Sequence, residues 1–158
     1  MKIIIVEPFH IERYDEVYGL WNSSPGVGLS SADERDRIAF FLERNPAMSF
    51  IALAGTQVIG VILGGHDGRR GYIHHLVVDK AYRRRGVGGQ LVERCLKALE
   101  EAGIQKCHLF IFQKNDDGIA FWKAHGWTLR RDIMVMSRHL VDLTSGVQPI
   151  DFPDKAIT

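Results

Sequence analysis

The residues best suited to chemistry form one short run of arginine and glycine at positions 83–89. It reads Arg83, Arg84, Arg85, Gly86, Val87, Gly88 and Gly89. Arginines stay charged at any cellular pH, and glycines let a ligand come close to the backbone. An apolar run at 72–78 predicts a strand before this segment, and an amphipathic run at 88–102 predicts a helix after it. Because the first N–H groups of a helix lack intrahelical partners and lie at its positive end, this arrangement predicts an anion site for a phosphorylated cofactor.

Two familiar nucleotide-binding motifs do not match this run. A P-loop ends in Gly-Lys followed by Ser or Thr, and no such triplet follows these glycines. A dinucleotide motif that begins at Gly86 and Gly88 would have Leu91 in place of its third glycine. The pattern R-x-x-G-x-G does match, at Arg83, Gly86 and Gly88. Together with the apolar string that begins at position 76, this pattern resembles the acyl-CoA motif of the GNAT superfamily of N-acyltransferases.

A second stretch is similar to the closing signature of the same superfamily. An almost wholly apolar segment at 106–112 predicts another strand, buried on both faces. Asn115 follows it, then a helix rich in aromatic residues, and then Gly126 and Trp127 at a helix stop. Because the two matches come in order and at the spacing of the family, the chain is identified as a member of the GNAT superfamily of acyl-CoA-dependent N-acetyltransferases.

The resemblance implies direct transfer of an acetyl group from acetyl-CoA to a primary amine in a ternary complex. In GNAT proteins the pantetheine arm pairs with main-chain groups of the strand before the glycine turn, here positions 76–78. The Val78 N–H is the implied oxyanion donor, and the amides of residues 84–89 are implied to hold the diphosphate. Asn115 matches an Asn that positions the cofactor arm, and it also suits a helix N-cap. The implied cofactor-binding residues are Leu76, Val77, Val78, Arg83, Arg84, Arg85, Gly86, Val87, Gly88, Gly89 and Asn115.

The candidate catalytic residues are His74, Tyr72 and, through its N–H, Val78. Strict alternation along the strand predicts one face with Tyr72, His74, Leu76 and Val78 and an opposite face with Ile73, His75 and Val77. His74 matches one of two strand histidines in serotonin-type N-acetyltransferases, where it is linked with water-relayed proton removal, and Tyr72 stands where the other would be. As a base, His74 could serve without a large pKa shift. The alternatives are an ordinary strand histidine at this position, or His75 as the base.

The chain departs from the family pattern at Trp122. Many GNAT enzymes carry a Tyr seven residues after the Asn, and this Tyr protonates the leaving thiolate. An indole N–H can donate a hydrogen bond but is no proton source of that kind. Either the thiolate leaves without a general acid, or Tyr72 or Tyr82 substitutes. The departure also leaves open an acyl-CoA-binding module with little catalytic activity.

Apolar periodicity predicts the element order β-α-α-β-β-β-α-β-α-β-β, which is also the order that the resemblance implies. We therefore expect an α/β (α+β) fold with one GNAT-like domain at 1–140 and an irregular tail at 141–158. Its sheet is expected to be mixed and mostly antiparallel, with about seven strands and helices on both faces. Ser31 to Glu34 reads as a capping box that opens the second helix. Residues 127–130 and 133–138 are expected to form a final antiparallel pair of strands.

Composition limits the classes of partner that the chain is expected to bind. The net charge of +1 gives no general attraction to nucleic acid or to a membrane surface. No apolar run approaches membrane-spanning length, and only four apolar residues follow Lys2, so we expect neither a membrane anchor nor a signal peptide. Cys95 and Cys107 lie in apolar patterns and are expected to be buried free thiols, as suits a cytoplasmic protein. We expect no bound metal.

The sequence predicts less about the acceptor than about the acetyl donor. The resemblance implies an amine on a small molecule or on a protein, so small-amine acetylation and protein N-terminal or lysine acetylation both stay open. In this fold the acceptor side is formed by the first two helices, their loop and the last hairpin. Its candidate residues are Trp21, Asn22, Leu29, Phe40, Phe41, Arg131 and Asp132, of which Trp21 and Phe41 equally suit the core. Exposed sheet edges near the last hairpin favour a homodimer.

Overall fold

The computed structural model describes residues 2–141 of the 158-residue chain. The chain divides into two compact units, the first built from Met1–Phe110 and the second from Ile111–Ile157. The first unit holds five strands and three α-helices among its described residues, and the second holds one helix. The predicted tail lies outside the described residues apart from Val141.

The sheet belongs to the first unit, and its strands follow one another in chain order. They are β1 (Ile4–Pro8), β2 (Phe50–Ala54), β3 (Gln57–His66), β4 (Gly71–Val78) and β5 (Cys107–Leu109). Neighbours from β1 to β4 pair antiparallel, whereas β5 pairs parallel with β4. The mixed, mostly antiparallel sheet that the sequence predicts is confirmed, with five strands rather than about seven over residues 2–141.

The helices are α1 (Tyr14–Asn22), α2 (Arg35–Arg44), α3 (Val87–Glu101) and α4 (Asp116–Ala124), of which α4 lies in the second unit. On one face of the sheet, Val17 and Trp21 of α1 join a buried cluster with Val61, Leu63 and Val77. This burial of apolar side chains removes them from water and holds the first two helices against β3 and β4.

The other face of the sheet packs against α3 through a stripe of small residues. Gly60, Gly64 and Gly71 lie on this face, and a Cβ at each would meet a side chain of α3. The side chains concerned are Leu91, Cys95 and Leu99, which recur every four residues along one side of the helix. The missing glycine side chains therefore let α3 approach the sheet closely, and the expectation of helices on both faces is confirmed for the first unit.

Several predicted element boundaries are wrong. The strand expected at 106–112 covers only Cys107–Leu109, and its residues are partly buried rather than fully buried. Residues 127–130 and 133–138 form no strand, because no other segment among residues 2–141 pairs with them, and an apolar run alone cannot make a ladder. The capping box is Ser30 with Asp33, one residue earlier than expected. This box opens the 3-10 turn Ser31–Asp33, and α2 begins only at Arg35.

Both cysteines are free thiols, as expected, but only Cys95 is fully buried. Cys95 is buried, Cys107 is partly buried, and both are free thiols. Burial raises the pKa of each thiol to about 12, so both are neutral and unreactive at physiological pH. None of the helices in the described part of the chain is long and apolar enough to cross a membrane.

The close approach of α3 to β3 predicts a large difference between two Gly→Ala substitutions. At Gly64 a Cβ would collide with the Cys95 Sγ and the Met48 carbonyl oxygen, so Gly64→Ala is expected to lower the free energy of unfolding by about 2–3 kcal/mol. Gly19 is an exposed residue of α1 with nothing within 4 Å of the added Cβ, so Gly19→Ala is expected to raise it by about 0.5–1 kcal/mol. Denaturant unfolding measures both, and equal effects would contradict this packing.

Candidate functional site

The N-terminus of α3 presents backbone donors without helix partners. Gly86 caps the helix in a left-handed conformation, at φ 77°, and no side chain caps it. The first helical bond runs from Gln90 N to Gly86 O at 3.1 Å, so the N–H groups of residues 87–89 precede any intrahelical carbonyl. The first turn contains no acidic residue. Since these donors lie at the positive end of a 15-residue helix, the position is suited to a phosphate group.

The turn before α3 is ordered by its own side chains. The Asp79 carboxylate accepts a hydrogen bond from Ala81 N at 2.8 Å, and Arg83 Nε donates to the Val78 carbonyl at 2.9 Å. Arg84 adopts a left-handed φ of 60°, and with Gly86 this gives the turn two left-handed residues, a geometry that favours anion-binding backbone. All three arginines of the run are exposed, so positive charge surrounds the helix start.

The Val78 N–H points away from β3. Asp79 N donates to Ile59 O at 2.7 Å, which makes this couple a hydrogen-bonded pair of the antiparallel ladder. The adjacent couple, Val78 with Gly60, is then a non-hydrogen-bonded pair, whose N–H and C=O groups face outward. The Arg83 bond to the Val78 carbonyl agrees with that direction. By the same alternation, Val77 directs its N–H and C=O groups to Val61 of β3. Val77 and Val78 were both predicted to contact the cofactor, but of the two only Val78 has its main-chain groups facing outward.

The outward edge of β4 is paired only in part. Within the described residues, β5 pairs with Gly71, Tyr72 and Ile73 and no further, and Gly71 N donates to Lys106 O at 2.9 Å. Residues 74–78 of β4 therefore continue beyond the end of the β5 ladder. An extended ligand that carries amide groups could lie along such a strand edge as an added strand would.

An extra residue in β4 separates the two parts of the strand. His74 pairs with Leu63 and Val77 pairs with Val61, so His75 and Leu76 together face the single residue Ile62. His75 has φ 50°, an uncommon value for a residue other than glycine. These features define a β-bulge, which interrupts the alternation of the strand.

The bulge makes the predicted division of β4 into two faces wrong. Leu63 and Val61 lie on the same face of β3, so their partners His74 and Val77 share a face too, although strict alternation separates them. His75 also turns to this face, where its ring meets Trp21 of α1 at 5.1 Å between centroids. The two adjacent histidines therefore each contact one of the first two helices. His75 contacts Trp21 of α1, and the His74 ring lies 6.1 Å from the Phe41 ring of α2 between centroids.

His74 lies among rings. Besides Phe41, the Tyr72 ring stacks nearly parallel to it, at 6.5 Å between centroids and 7° between planes. Burial, followed by the nearby His75, lowers the pKa of His74 from 6.5 to about 4. The expectation that His74 would act without a large pKa shift is therefore wrong. At neutral pH its imidazole is uncharged and can accept a hydrogen bond, but it is a weak base.

Sequence reasoning missed a buried hydrogen bond between a histidine and a carboxyl group beside this site. His75 Nε2 donates to Asp33 Oδ1 at 2.7 Å, and the two side chains are only 2% and 8% exposed. Asp33 Oδ2 also accepts from Ser30 N at 2.9 Å, and its carbonyl accepts from the Tyr14 hydroxyl at 2.7 Å. The pattern Ser30-x-x-Asp33, which overlaps the box predicted one residue later, was the available signal for Asp33. Nothing in the alternation of β4 indicated that His75 would meet it.

Comparison with known proteins agrees with this geometry. The family model for the acetyltransferase (GNAT) family matches residues 14–127. This chain belongs to that family. An acetyltransferase of Sodalis glossinidius is 27% identical over 137 residues, which cover 87% of this chain and 96% of the relative.

Two solved structures resemble the fold of this GNAT protein. Ard1 from Thermoplasma volcanium has a TM-score of 0.72 at 22% identity and covers 80% of this chain and 84% of its own. A PaiA N-acetyltransferase from Thermoplasma acidophilum, in complex with coenzyme A, has a TM-score of 0.71 at 16% identity and covers 81% of this chain and 91% of its own. The chain is thus an acyltransferase with the GNAT fold, as its sequence motifs predicted.

The remaining predicted residues of this GNAT chain are placed as follows. Asn115 caps α4, since its Oδ1 accepts from Gly118 N at 2.9 Å, which confirms the N-cap role and leaves its cofactor role a prediction. Trp122 is half-buried and packs edge-on against Trp127 at 4.9 Å within the second unit. The Arg85 guanidinium lies 5.4 Å from the Tyr82 ring, which favours a packing role for Tyr82. Trp21 is 1% exposed and belongs to the core rather than to an acceptor surface.

Gly86 provides a test of the backbone at the start of α3. Nothing lies within 4 Å of a Cβ at this position, so Gly86→Ala acts through the left-handed φ alone and is expected to destabilise the fold by about 1–2 kcal/mol. Gly86→Asn is the matched control, because Asn adopts this conformation more readily than Ala. Calorimetry with coenzyme A is expected to show weaker binding for the Ala variant than for the Asn variant. Equal affinities would contradict a role for this backbone geometry.

The lowered pKa of His74 predicts a stability change in acid. The unfolded chain, with a pKa near 6.5, binds this proton more readily than the folded chain does, so stability falls as pH drops from about 6.5 to 4. The loss attributable to His74 is expected to reach about 3 kcal/mol at most. Denaturant unfolding across this range should show His74→Gln losing less stability than the parent. His10→Gln, at an exposed histidine, should follow the parent curve, and a parent-like curve for His74→Gln would refute the prediction.

Proposed function

We propose that this protein is an N-acetyltransferase that moves the acetyl group of acetyl-CoA directly to a primary amine in a ternary complex. The observation that carries the proposal is the β4–turn–α3 segment, in which the Val78 N–H faces outward. The first N–H of α3, at Val87, follows nine residues later in sequence. One segment of backbone thus provides a donor for an acyl oxygen and donors for a phosphate group.

Coenzyme A fits these residues. Its diphosphate is an anion that the amides of residues 87–89 and the exposed arginines of the turn can hold. Its pantetheine arm is extended and carries amide groups, and β4 has an edge beyond the β5 ladder along which such an arm can lie. In support, one structure with this fold contains coenzyme A.

The chemistry follows from where charge develops. As the free amine attacks the thioester carbonyl carbon, a C–N bond forms, the C–S bond breaks, and negative charge builds on the carbonyl oxygen before the thiolate departs. The Val78 N–H is fixed in the strand and costs no reorganisation when it donates to that oxygen. The amine nitrogen must also lose a proton, which passes to solvent or to the departing sulfur.

His74 is proposed to receive a hydrogen bond from the amine, directly or through water. Its imidazole is neutral at physiological pH because burial lowers its pKa to about 4. The same shift makes it a poor final holder of the proton, so its contribution is orientation and transient acceptance. For the thiolate, Trp122 offers no acid. Tyr72, whose ring stacks on His74, is the proposed substitute, unless the CoA thiolate leaves unprotonated.

Two further properties are proposed from the residues. The free thiols of Cys95 and Cys107 support a reducing compartment and hence the cytoplasm. Exposed apolar side chains at Ile133, Met134, Val135 and Met136 support a homodimer.

The test of the function is calorimetry with acetyl-CoA followed by thiol release with a panel of amines. The panel includes polyamines, aminoglycosides, free lysine and peptides with a free N-terminus, so the active class identifies the acceptor. Release above hydrolysis with any of them supports an acetyltransferase. Tight binding with no release would favour an acyl-CoA-binding module, and absence of binding would refute both.

Val78 allows the oxyanion donor itself to be removed. Because its N–H faces away from β3, Val78→Pro removes the donor without deleting a ladder hydrogen bond. We expect kcat to fall about 10²–10³-fold while coenzyme A affinity is largely kept. Val78→Ala, which retains the N–H, is the control and should keep most of the activity. Similar kcat values for the two variants would argue against Val78 as the donor.

A further inference from the structure

The buried pair of His75 and Asp33 lies at the bulge of β4, outside the residues that the proposed reaction uses. His75 is the left-handed residue of the bulge, with φ 50°, and its side chain is 2% exposed. Asp33 ends the 3-10 turn that follows the α1–α2 loop, and its side chain is 8% exposed. A polar group so deeply buried is costly unless it is hydrogen-bonded, and here the Asp33 side chain is hydrogen-bonded to the bulge residue itself.

The bulge decides which amides of β4 face outward. Just before β4, Asp67 N donates to Arg70 O at 3.2 Å. In the first part of the strand the even-numbered residues therefore direct their N–H and C=O groups to β3. The odd-numbered Gly71 turns outward to β5, as its bond to Lys106 O shows. After the bulge the order is reversed, because Asp79 N bonds to Ile59 O and Val78 faces outward. Without the extra residue, Val78 would pair with Ile59 and direct its N–H to β3.

We propose that the His75–Asp33 pair is a positioning pair that holds the β4 bulge and thereby keeps the Val78 N–H directed at the acyl carbonyl. The inference rests on the proposed acetyl transfer and extends it to residues that contact neither substrate. A left-handed histidine is unfavourable by itself, so contacts of its side chain must offset the strain. The 2.7 Å bond to Asp33 and the edge contact with Trp21 are such contacts.

Asp33 is itself fixed from two other sides. Its second carboxylate oxygen accepts from Ser30 N at 2.9 Å, and its carbonyl accepts from the Tyr14 hydroxyl at 2.7 Å. The pair therefore connects β4 to α1 and to the turn that precedes α2. Because those elements are the proposed acceptor side, the same hydrogen bond couples the acceptor side to the strand that polarises the acyl donor.

A spectroscopic test needs no knowledge of the amine. A hydrogen bond to a thioester carbonyl moves the ¹³C resonance of that carbon downfield. Acetyl-CoA labelled at the carbonyl carbon should therefore show a downfield shift when bound to the parent protein. Val78→Pro supplies the reference for a bound thioester without the donor.

Variants on both sides of the pair separate positioning from packing. His75→Ala and Asp33→Ala break the pair and are expected to lose at least half of the bound downfield shift. Asp33→Asn can keep both bonds when His75 takes its Nδ1–H tautomer, since the amide NH2 then donates to the unprotonated His75 Nε2 and the amide oxygen accepts from Ser30 N, and it should retain the shift. Ser30→Ala removes the hydroxyl that accepts from Ala32 N without touching His75, and it should also retain the shift. Coenzyme A affinity should change by no more than about threefold in Asp33→Asn and Ser30→Ala, whereas the two alanine variants are expected to keep the diphosphate contacts of α3 but can lose contacts between the pantetheine arm and β4.

Each outcome of these experiments supports or refutes either the proposed function or the positioning role. If the parent binds no acetyl-CoA, the proposed function fails. If it binds acetyl-CoA without a downfield shift, or if both alanine variants keep the shift, the function can stand but the positioning role is wrong. Loss of the shift in Asp33→Asn as in Asp33→Ala would show that the hydrogen bond is not the agent. If neither alanine variant folds, the pair is a requirement of folding and the positioning role is withdrawn.

Discussion

The site depends on one constraint, the single extra residue that β4 carries opposite Ile62. A hydrogen-bonded ladder assigns each amide to one side of a strand in strict alternation, so a strand inside a sheet has few donors for a ligand. One inserted residue reverses the assignment for everything after it. Here the reversal comes three residues before Val78, and the outward donor lies where the β5 ladder has already ended. The carboxyl end of a sheet strand thereby gains the outward backbone donor to which we propose that the acyl donor binds.

The start of α3 could be predicted from sequence, because its determinants are local. Glycine and arginine types, the apolar stripe of the helix and the strand before it are all readable within residues 72–102, and the predicted and observed helix boundaries differ by one residue at each end. The bulge could not be predicted in this way. A left-handed φ at His75 is stabilised by Asp33 and Trp21, which are distant in sequence, so the local pattern of β4 continued to favour simple alternation.

The same distinction explains the strands that were wrongly predicted. Residues 133–138 have the composition of a strand, but a strand exists only through a partner, and none among residues 2–141 pairs with them. The shortness of β5 has the related consequence that, among residues 2–141, β4 has no strand partner on its outer edge beyond Ile73. When composition predicts too long a strand, the prediction therefore hides the unpaired strand edge on which a ligand is proposed to bind. The strand predicted at 106–112 was extended too far beside the edge on which the ligand is proposed to bind.

The two adjacent histidines show how one face of a sheet can serve two purposes. His74 contacts Phe41 and Tyr72, and burial among these rings lowers its pKa and keeps it neutral. His75 contacts a carboxylate and is held rigidly by it. Had the strand alternated, the two side chains would lie on opposite faces, and a contact from the first two helices could reach only one of them. Because the bulge brings them to one face, the elements proposed to receive the acceptor amine also contact the strand that is proposed to activate the acyl donor. A change in α1 or in the turn before α2 is therefore expected to alter the proposed chemistry without touching either substrate.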